Sequence, residues 1–230
     1  MRSMRPSRGF TLIELMVAIG ILALVAVLSW RGLDGMTRAQ TQTQARADQV
    51  LATQAALGQW RADLDAVVQL PGYAPLDWDG RVLRMTRRSL TAPADGLLVV
   101  GWAQRDIDGQ TQWLRWQSPA LRTRGDLQTA WQRASVWART PGDEDRQREV
   151  AISPVTEWQV FYFRGNAWSN AQSSAGTSTS ASTVVGAVPV ATDNALPEGV
   201  RLNLTLPPSH PLAGKLTLDW NRPTLSGGKS

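Results

Sequence analysis

The chain has 230 residues, a formal charge of +5 and 43% apolar residues, which is enough for one domain of ordinary size with a packed core. It contains no cysteine, and this excludes disulfide scaffolds, thiolate metal sites and cysteine nucleophiles. Its single histidine, His210, excludes metal sites that need two imidazoles. Only Lys215 and Lys229 are lysines, so we attribute the high isoelectric point to a bias toward arginine and expect no nucleic acid partner.

A basic segment followed by a long apolar segment opens the chain. Residues 1–9 carry three arginines and no acid, and 17 of the 21 residues in the range 10–30 are apolar. As a helix that rises ~1.5 Å per residue, residues 10–30 are long enough to cross a bilayer. The positive charge on the N-terminal side predicts that this side stays in the cytoplasm and that the rest of the chain lies in the opposite compartment.

Glu14 is the one charged residue of this apolar segment. A carboxylate within a bilayer costs a few kcal/mol, so we expect Glu14 to have a partner or a function. A conventional secretory signal does not explain it, because the apolar segment is too long and no A-x-A-like cleavage site follows. A plain signal anchor explains the length but leaves Glu14 without a role.

The string RGFTLIELMV, which starts at Arg8, resembles the class III signal of type IV pilins and pseudopilins. In that family a prepilin peptidase cuts after the glycine and N-methylates the new terminus. The resemblance therefore implies cleavage between Gly9 and Phe10, methylation of Phe10, and a role for Glu14 in assembly. The new α-ammonium group of Phe10 lies four residues before Glu14 on the same helix face, where it can neutralise this carboxylate or that of a neighbouring subunit.

The remaining sequence is predicted to form one long helix followed by a β-rich domain. No proline interrupts the helical pattern before Pro71, and Val50, Leu57 and Leu64 repeat at seven. This pattern predicts an amphipathic continuation of the helix over residues 31–70 that packs on the domain. Residues 71–225 are expected to form an antiparallel β-sheet domain with a flexible Ser/Thr-rich insertion at 171–183.

Alternating apolar residues predict most of the strands of this domain. The predicted strands are residues 81–90 (as an edge strand), 97–104, 110–117, 155–164, 200–206 and a last strand around 216–220. The pairs Asp108-Gly109 and Gly165-Asn166 predict tight turns. Residues 128–139 are ambiguous, because their bulky side chains are also typical of a strand.

No residue pattern predicts catalysis or a resident cofactor. His210 lies in a prolyl loop without a visible orienting acid or nucleophile, and no nucleotide-binding or hydrolase motif is present. The acids of residues 106–109 are better explained by the hairpin turn than by a calcium loop, and those of residues 143–145 by a solvated loop, although weak calcium binding there stays open. Most tryptophans are expected in the core, with Trp78 and Trp168 at the surface.

The order of segments after the helix is similar to that of the J-type minor pseudopilins of type II secretion (general secretion pathway protein J). The similarity rests on MTRRSL, a hairpin built on Asp-Gly, EWQVFYFRGNAWSN and LPEGVRLNLTLP, in that order. It implies a pilin-like α+β fold and a structural subunit that is not an enzyme and has no cofactor, metal or small-molecule substrate.

The resemblance also implies partners and a location. The partners are the minor pseudopilins I and K, with which a J subunit forms a fibre tip, the major pseudopilin G, whose assembly that tip primes, and the prepilin peptidase. The subunit would cross the bacterial inner membrane once and hold its C-terminal domain in the periplasm. A minor type IV pilin is the nearest alternative, and a signal-anchored periplasmic enzyme that retains Met1 is the alternative from another class.

Overall fold

The structure is a computed structural model that describes residues 9–89, 96–174 and 195–223. Residues 1–8 of the predicted leader, most of the predicted insertion at 171–183 and the last predicted residues of the domain lie outside the described residues. The chain divides into two compact units, the first ending at Asp48 and the second beginning at Gln49. In chain order the elements are α1 (Leu12–Asp65), β1 (Leu76–Trp78), β2 (Val82–Arg88), β3 (Leu97–Ile107), β4 (Gln110–Gln117), α2 (Arg124–Trp137), α3 (Asp143–Arg146), β5 (Glu149–Pro154), β6 (Glu157–Arg164), β7 (Ala167–Asn170), α4 (Ala171–Ser174), β8 (Gly199–Leu206) and β9 (Gly214–Asn221).

Helix α1 is continuous over 54 residues, as the absence of proline predicted. Its buried side chains all belong to the second unit; they are Thr53, Ala56, Trp60, Asp63 and Leu64. Their spacing of three or four residues places them on one face of the helix. The predicted packing of the helix on the β-rich domain is therefore confirmed for the part of α1 in the second unit. Residues 31–49 are exposed, and α1 ends at Asp65, a few residues earlier than expected.

Two antiparallel sheets follow the helix, and they confirm the predicted α+β fold class. The first sheet has five strands in the order β1-β2-β3-β4-β5, and the second has four in the order β7-β6-β8-β9. The chain passes from the first sheet to the second between β5 and β6, where the backbone N–H of Val155 still bonds to Thr111 and that of Thr156 already bonds to Thr205. One β-rich domain therefore contains two separately paired sheets.

Both predicted tight turns are present. Asp108 and Gly109 have φ values of 54° and 78°, and Gly165 and Asn166 have values of 55° and 67°. Two successive left-handed residues are what a two-residue hairpin turn requires, and Asp, Asn and Gly are the residues that tolerate this conformation best. The Asp108-Gly109 turn joins β3 to β4, and the Gly165-Asn166 turn joins β6 to β7.

One strand assignment needs correction, and one region that the sequence left ambiguous is a helix. The strand predicted at 81–90 is present as β2, but it is not an edge strand, because Leu76 of β1 pairs with Met85 on its other side. Strand β1 has only three residues and is too short to show an alternating pattern. The ambiguous region 128–139 is helical, because Thr123 and Asp126 form a reciprocal capping box at the N-terminus of α2.

The five-stranded sheet is buried on both faces. One face shares a core with the end of α1 and with the four-stranded sheet, and the other face packs against α2. Strand β3 consequently contains six consecutive buried residues instead of an alternation. Gly101 of β3 lies against Trp137 of α2, where an added Cβ would approach the indole ring to 2.9 Å.

Most tryptophans fill the core, as predicted. Trp60 lies within 5.3–6.3 Å of the rings of Trp102, Trp113 and Trp158, measured between ring centroids. The prediction that Trp78 lies at the surface is wrong, since it is buried in β1 against Trp158 at 4.7 Å. Trp168 is half-buried, with the guanidinium carbon of Arg201 4.2 Å from its ring centroid.

Candidate processing and assembly site

The predicted cleavage point lies immediately before the first turn of α1. Gly9 and Phe10 are outside regular secondary structure, and Phe10 is 87% exposed. A Cβ built on Gly9 would have no atom within 4 Å among the described residues. No described residue therefore covers the peptide bond between Gly9 and Phe10, and the helix begins two residues beyond it.

Thr11 and Glu14 form a capping box at the N-terminus of α1. The hydroxyl of Thr11 accepts a hydrogen bond from the backbone N–H of Glu14 at 3.4 Å. The carboxylate of Glu14 accepts from the backbone N–H of Thr11 at 3.2 Å and from its hydroxyl at 3.1 Å. This reciprocal arrangement satisfies backbone donors that a helix start otherwise leaves free.

The capping box is independent of the leader, because all its atoms belong to Thr11 and Glu14. Both of its bonds to Glu14 go to Oε2, and Oε1 accepts none from the residues that the structure describes. Glu14 is therefore held near the helix start with one oxygen available to a further donor. The Thr-x-x-Glu pattern at 11–14 is a local sequence signal for this cap, which was not among the predictions.

The part of α1 that follows is apolar and exposed. It is long and apolar enough to cross a membrane by length and composition, and no other described helix is. Its large apolar side chains, from Leu12 to Trp30, are each more than half exposed. A water-exposed surface of this kind is not stable on its own, so the segment is consistent with a membrane anchor.

In the second unit, Asp63 forms a buried polar cluster that sequence analysis did not find. Its carboxylate is fully buried and accepts hydrogen bonds from Arg87, from Arg115 Nε and Nη2 at 2.8 and 3.0 Å, and from Trp102 Nε1 at 2.9 Å. Gln59, one turn earlier on α1, also donates to it at 2.8 Å. The cluster fixes the end of α1 to β2, β3 and β4.

Two further contacts attach α1 to the rest of the second unit. Asp65 accepts a hydrogen bond from Trp220 Nε1 of β9 at 2.7 Å. His210 lies 3.3 Å from the hydroxyl of Thr53, and its Nδ1 accepts from the backbone N–H of Leu212 at 3.1 Å. Because Nδ1 is an acceptor, the proton of the neutral ring is on Nε2, which then donates to Thr53. Burial lowers the pKa of His210 and so favours this neutral form.

Acidic residues of both candidate calcium segments, 106–109 and 143–145, are engaged within the protein. Asp145 and Glu144 both pair with Arg133, at 2.6 and 2.8 Å. Asp106 accepts a hydrogen bond from the backbone N–H of Gly109, as expected for the hairpin turn. Among the described residues no group of three potential metal ligands comes together. The arrangement found here therefore serves packing and turn formation.

The N-terminal segment matches the prokaryotic N-terminal methylation motif over residues 4–30. This motif is typical of type IV pilin-like proteins and pseudopilins, which are structural proteins. The match covers both sides of the Gly9–Phe10 bond, the capping box with Glu14 and the apolar part of α1.

Proposed function

We propose that this chain is a minor pseudopilin of a bacterial type II secretion system, most similar to the J type. Glu14 carries the proposal: an acid at the fifth position after the Gly9–Phe10 bond, inside an apolar helix, and within the matched methylation motif. A J-type subunit would join the minor pseudopilins I and K at the fibre tip and prime addition of the major pseudopilin G. The resulting fibre exports folded proteins across the outer membrane.

The capping box supports a specific order of events. Cleavage by a prepilin peptidase would place the α-amine of Phe10 next to Glu14 without removing any atom of the cap. Before assembly, Thr11 supplies two donors to one oxygen of Glu14. On assembly, the other oxygen pairs with the amine of a neighbouring subunit, because a carboxylate in hydrocarbon is much less costly when it is paired. Glu14 then fixes the register in which helices stack.

In the proposed topology the chain crosses the inner membrane once and places the second unit in the periplasm. Cleavage would remove three of the 24 basic residues and leave a mature charge of +2. The absence of cysteine supports a pseudopilin over a pilus subunit held by a C-terminal disulfide. His210 and Asp63 lie in the interior and are hydrogen-bonded to neighbouring elements, so we assign neither of them a catalytic role.

Two measurements test the proposal. Intact-mass and N-terminal analysis of membrane-extracted protein is expected to find N-methylated Phe10, and a retained Met1 would support a plain anchor instead. Substitution of Glu14 is expected to leave membrane insertion intact and weaken incorporation into the fibre. The sharper variant is Glu14→Gln, since glutamine keeps the capping box and removes only the charge.

Glu14→Ala, which removes both cap and charge, is the comparison variant. Assembly by Glu14→Gln at the level of the unchanged protein would contradict the role given to the charge. Copurification with the minor subunits I and K distinguishes a type II secretion subunit from a minor type IV pilin. Association with pilus subunits alone would assign the chain to the latter.

A further inference from the structure

A groove runs between the second-unit part of α1 and strand β5. We call it the α1–β5 groove and define it by its lining residues: Ala52, Ala55, Ala56 and Gln59 of α1, Val150, Ala151 and Ile152 of β5, and Trp102 and Arg115 at its floor. Its volume is about 390 Å³, within the ~300–1,000 Å³ typical of ligand clefts. Its walls are formed by small and aliphatic side chains.

One wall of the groove is an edge strand. Strand β5 is the last strand of the five-stranded sheet, and among the described residues it pairs only with β4, with Arg115 opposite Val150. Natural edge strands are usually protected by charged residues, by proline, by a β-bulge or by a covering element. Strand β5 ends at Pro154 and has a register irregularity opposite Trp113 and Leu114, whereas Glu149 to Ala151 pair regularly with β4. In this regular part Val150 is 60% exposed, so the outer edge there has an apolar surface.

The floor of the groove carries an excess of positive charge. Arg87 and Arg115 share the single buried carboxylate of Asp63, which leaves one positive charge uncompensated within the cluster. Arg115 uses Nε and Nη2 for Asp63 and Gln117, and its Nη1 makes no hydrogen bond to any residue that the structure describes. A partly desolvated guanidinium with a free N–H group favours a carboxylate partner.

We propose that the α1–β5 groove binds an extended acidic segment of another subunit of the same fibre. The segment adds to β5 as a further antiparallel or parallel strand, so that main-chain hydrogen bonds supply affinity. One Asp or Glu of the segment pairs with Arg115, and the residues two positions before and after it, which point to the same face, pack against Ala55 and Ile152. The choice of a fibre subunit as the partner rests on the proposed function, whereas the preference for an acidic strand rests on the groove itself.

Charge changes at Val150, combined with a photo-crosslinker at Ala52, test this assignment in the full-length membrane protein. Both side chains are exposed at the rim, so the substitutions avoid the buried cluster. With benzoylphenylalanine at Ala52, we expect crosslinks to another fibre subunit that map, by mass spectrometry, within a few residues of an Asp or Glu. Val150→Asp should lower the crosslink yield at least fivefold, and Val150→Lys should maintain it.

The matched control is Val136→Asp on α2, since Val136 is 58% exposed and lies outside the groove. It should leave the yield unchanged, and all variants should keep the unfolding midpoint of the parent. Equal yields for Val150→Asp and Val150→Lys, adducts in a segment without acids, adducts to a second copy of this chain, or no adduct would each overturn the assignment. Detection of N-methylated Phe10 in the same samples separates these failures from a failure of the proposed function.

Discussion

Replacement of Asp63 by asparagine is the strongest test of how the second unit is held together. Asparagine has nearly the same shape but no charge, and its amide N–H groups would face the N–H donors of Arg87 and Arg115. Removing one member of a buried ion pair typically costs ~3–5 kcal/mol, because the remaining charge stays buried without its partner. Two guanidiniums depend on Asp63, and both are largely buried. We therefore expect Asp63→Asn to lower the free energy of unfolding by ~3–5 kcal/mol.

Urea titration of the mature chain in detergent micelles, followed by tryptophan emission, measures this change. The buried tryptophans all lie between Trp60 and Trp220, so the signal reports on the second unit, and Trp30 is already exposed. With a denaturant slope of ~2 kcal/mol per molar urea, the midpoint should fall by ~1.5–2.5 M. The control is Asp143→Asn, whose carboxylate is 94% exposed and pairs with Arg146 at the surface. This control should not move the midpoint measurably.

A decrease below ~1 kcal/mol for Asp63→Asn would refute the reasoning, because it would place this carboxylate in the energetic range of surface pairs. If Asp63→Asn has the expected effect, the double variant Asp63→Asn, Arg87→Met should lose less free energy of unfolding than Asp63→Asn alone, because it also removes one uncompensated cation. If the double variant were less stable than Asp63→Asn alone, the cost would arise from packing and not from buried charge.

Two other predictions follow from single contacts. Burial lowers the pKa of His210 below its unfolded value near 6.5. The stabilisation from the neutral ring should therefore be complete above pH 6.5 and should decline as the pH falls through that value toward the folded pKa. Urea midpoints of the parent and of His210→Gln between pH 8 and 5 measure this decline, and an equal pH dependence of the two proteins would contradict the prediction. Gly96 has φ = +114° and an added Cβ would lie 2.3 Å from the carbonyl oxygen of Leu121, so Gly96→Ala should lower the free energy of unfolding by more than ~2 kcal/mol. Gly72 has φ = +83°, and an added Cβ there would have no described atom within 4 Å, so Gly72→Ala should cost only about 1 kcal/mol. Thermal unfolding of both variants measures the difference, and equal losses of stability would show that the Leu121 contact is unimportant.

The elements predicted correctly are those whose signals are local. The continuity of α1 follows from a long proline-free pattern, and the β3–β4 hairpin follows from Asp108-Gly109, a pair that adopts the turn without strain. The edge position assigned to β2 was wrong because β1 is only three residues long. Helix α2 carried a local signal that was overlooked: the Thr123-x-x-Asp126 pattern of a capping box.

Local sequence patterns do not predict the buried polar cluster of the second unit. Asp63 stands out in the sequence only as an acid on the apolar face of a helix, and its partners Arg87 and Arg115 lie 24 and 52 residues away. The residues around Trp78 show no alternating apolar pattern that would indicate a buried strand. Its burial results from the pairing of β1 with β2 and from contact with Trp158, which the local sequence does not show. In contrast, Gly9, Phe10 and Glu14 were predicted from a contiguous motif, and their roles in cleavage, methylation and assembly stay predictions. The structure adds the hydrogen bonds between Thr11 and Glu14.

The attachments of α1 also determine how the second unit responds to mechanical load. Thr53, Asp63 and Asp65 tie one rigid rod to a loop, to the central strands of one sheet and to an edge strand of the other. We therefore expect a pull on the end of α1 to load contacts to both sheets at once, and separation of the helix to require loss of the buried ion pairs of Asp63 together with the other two hydrogen bonds.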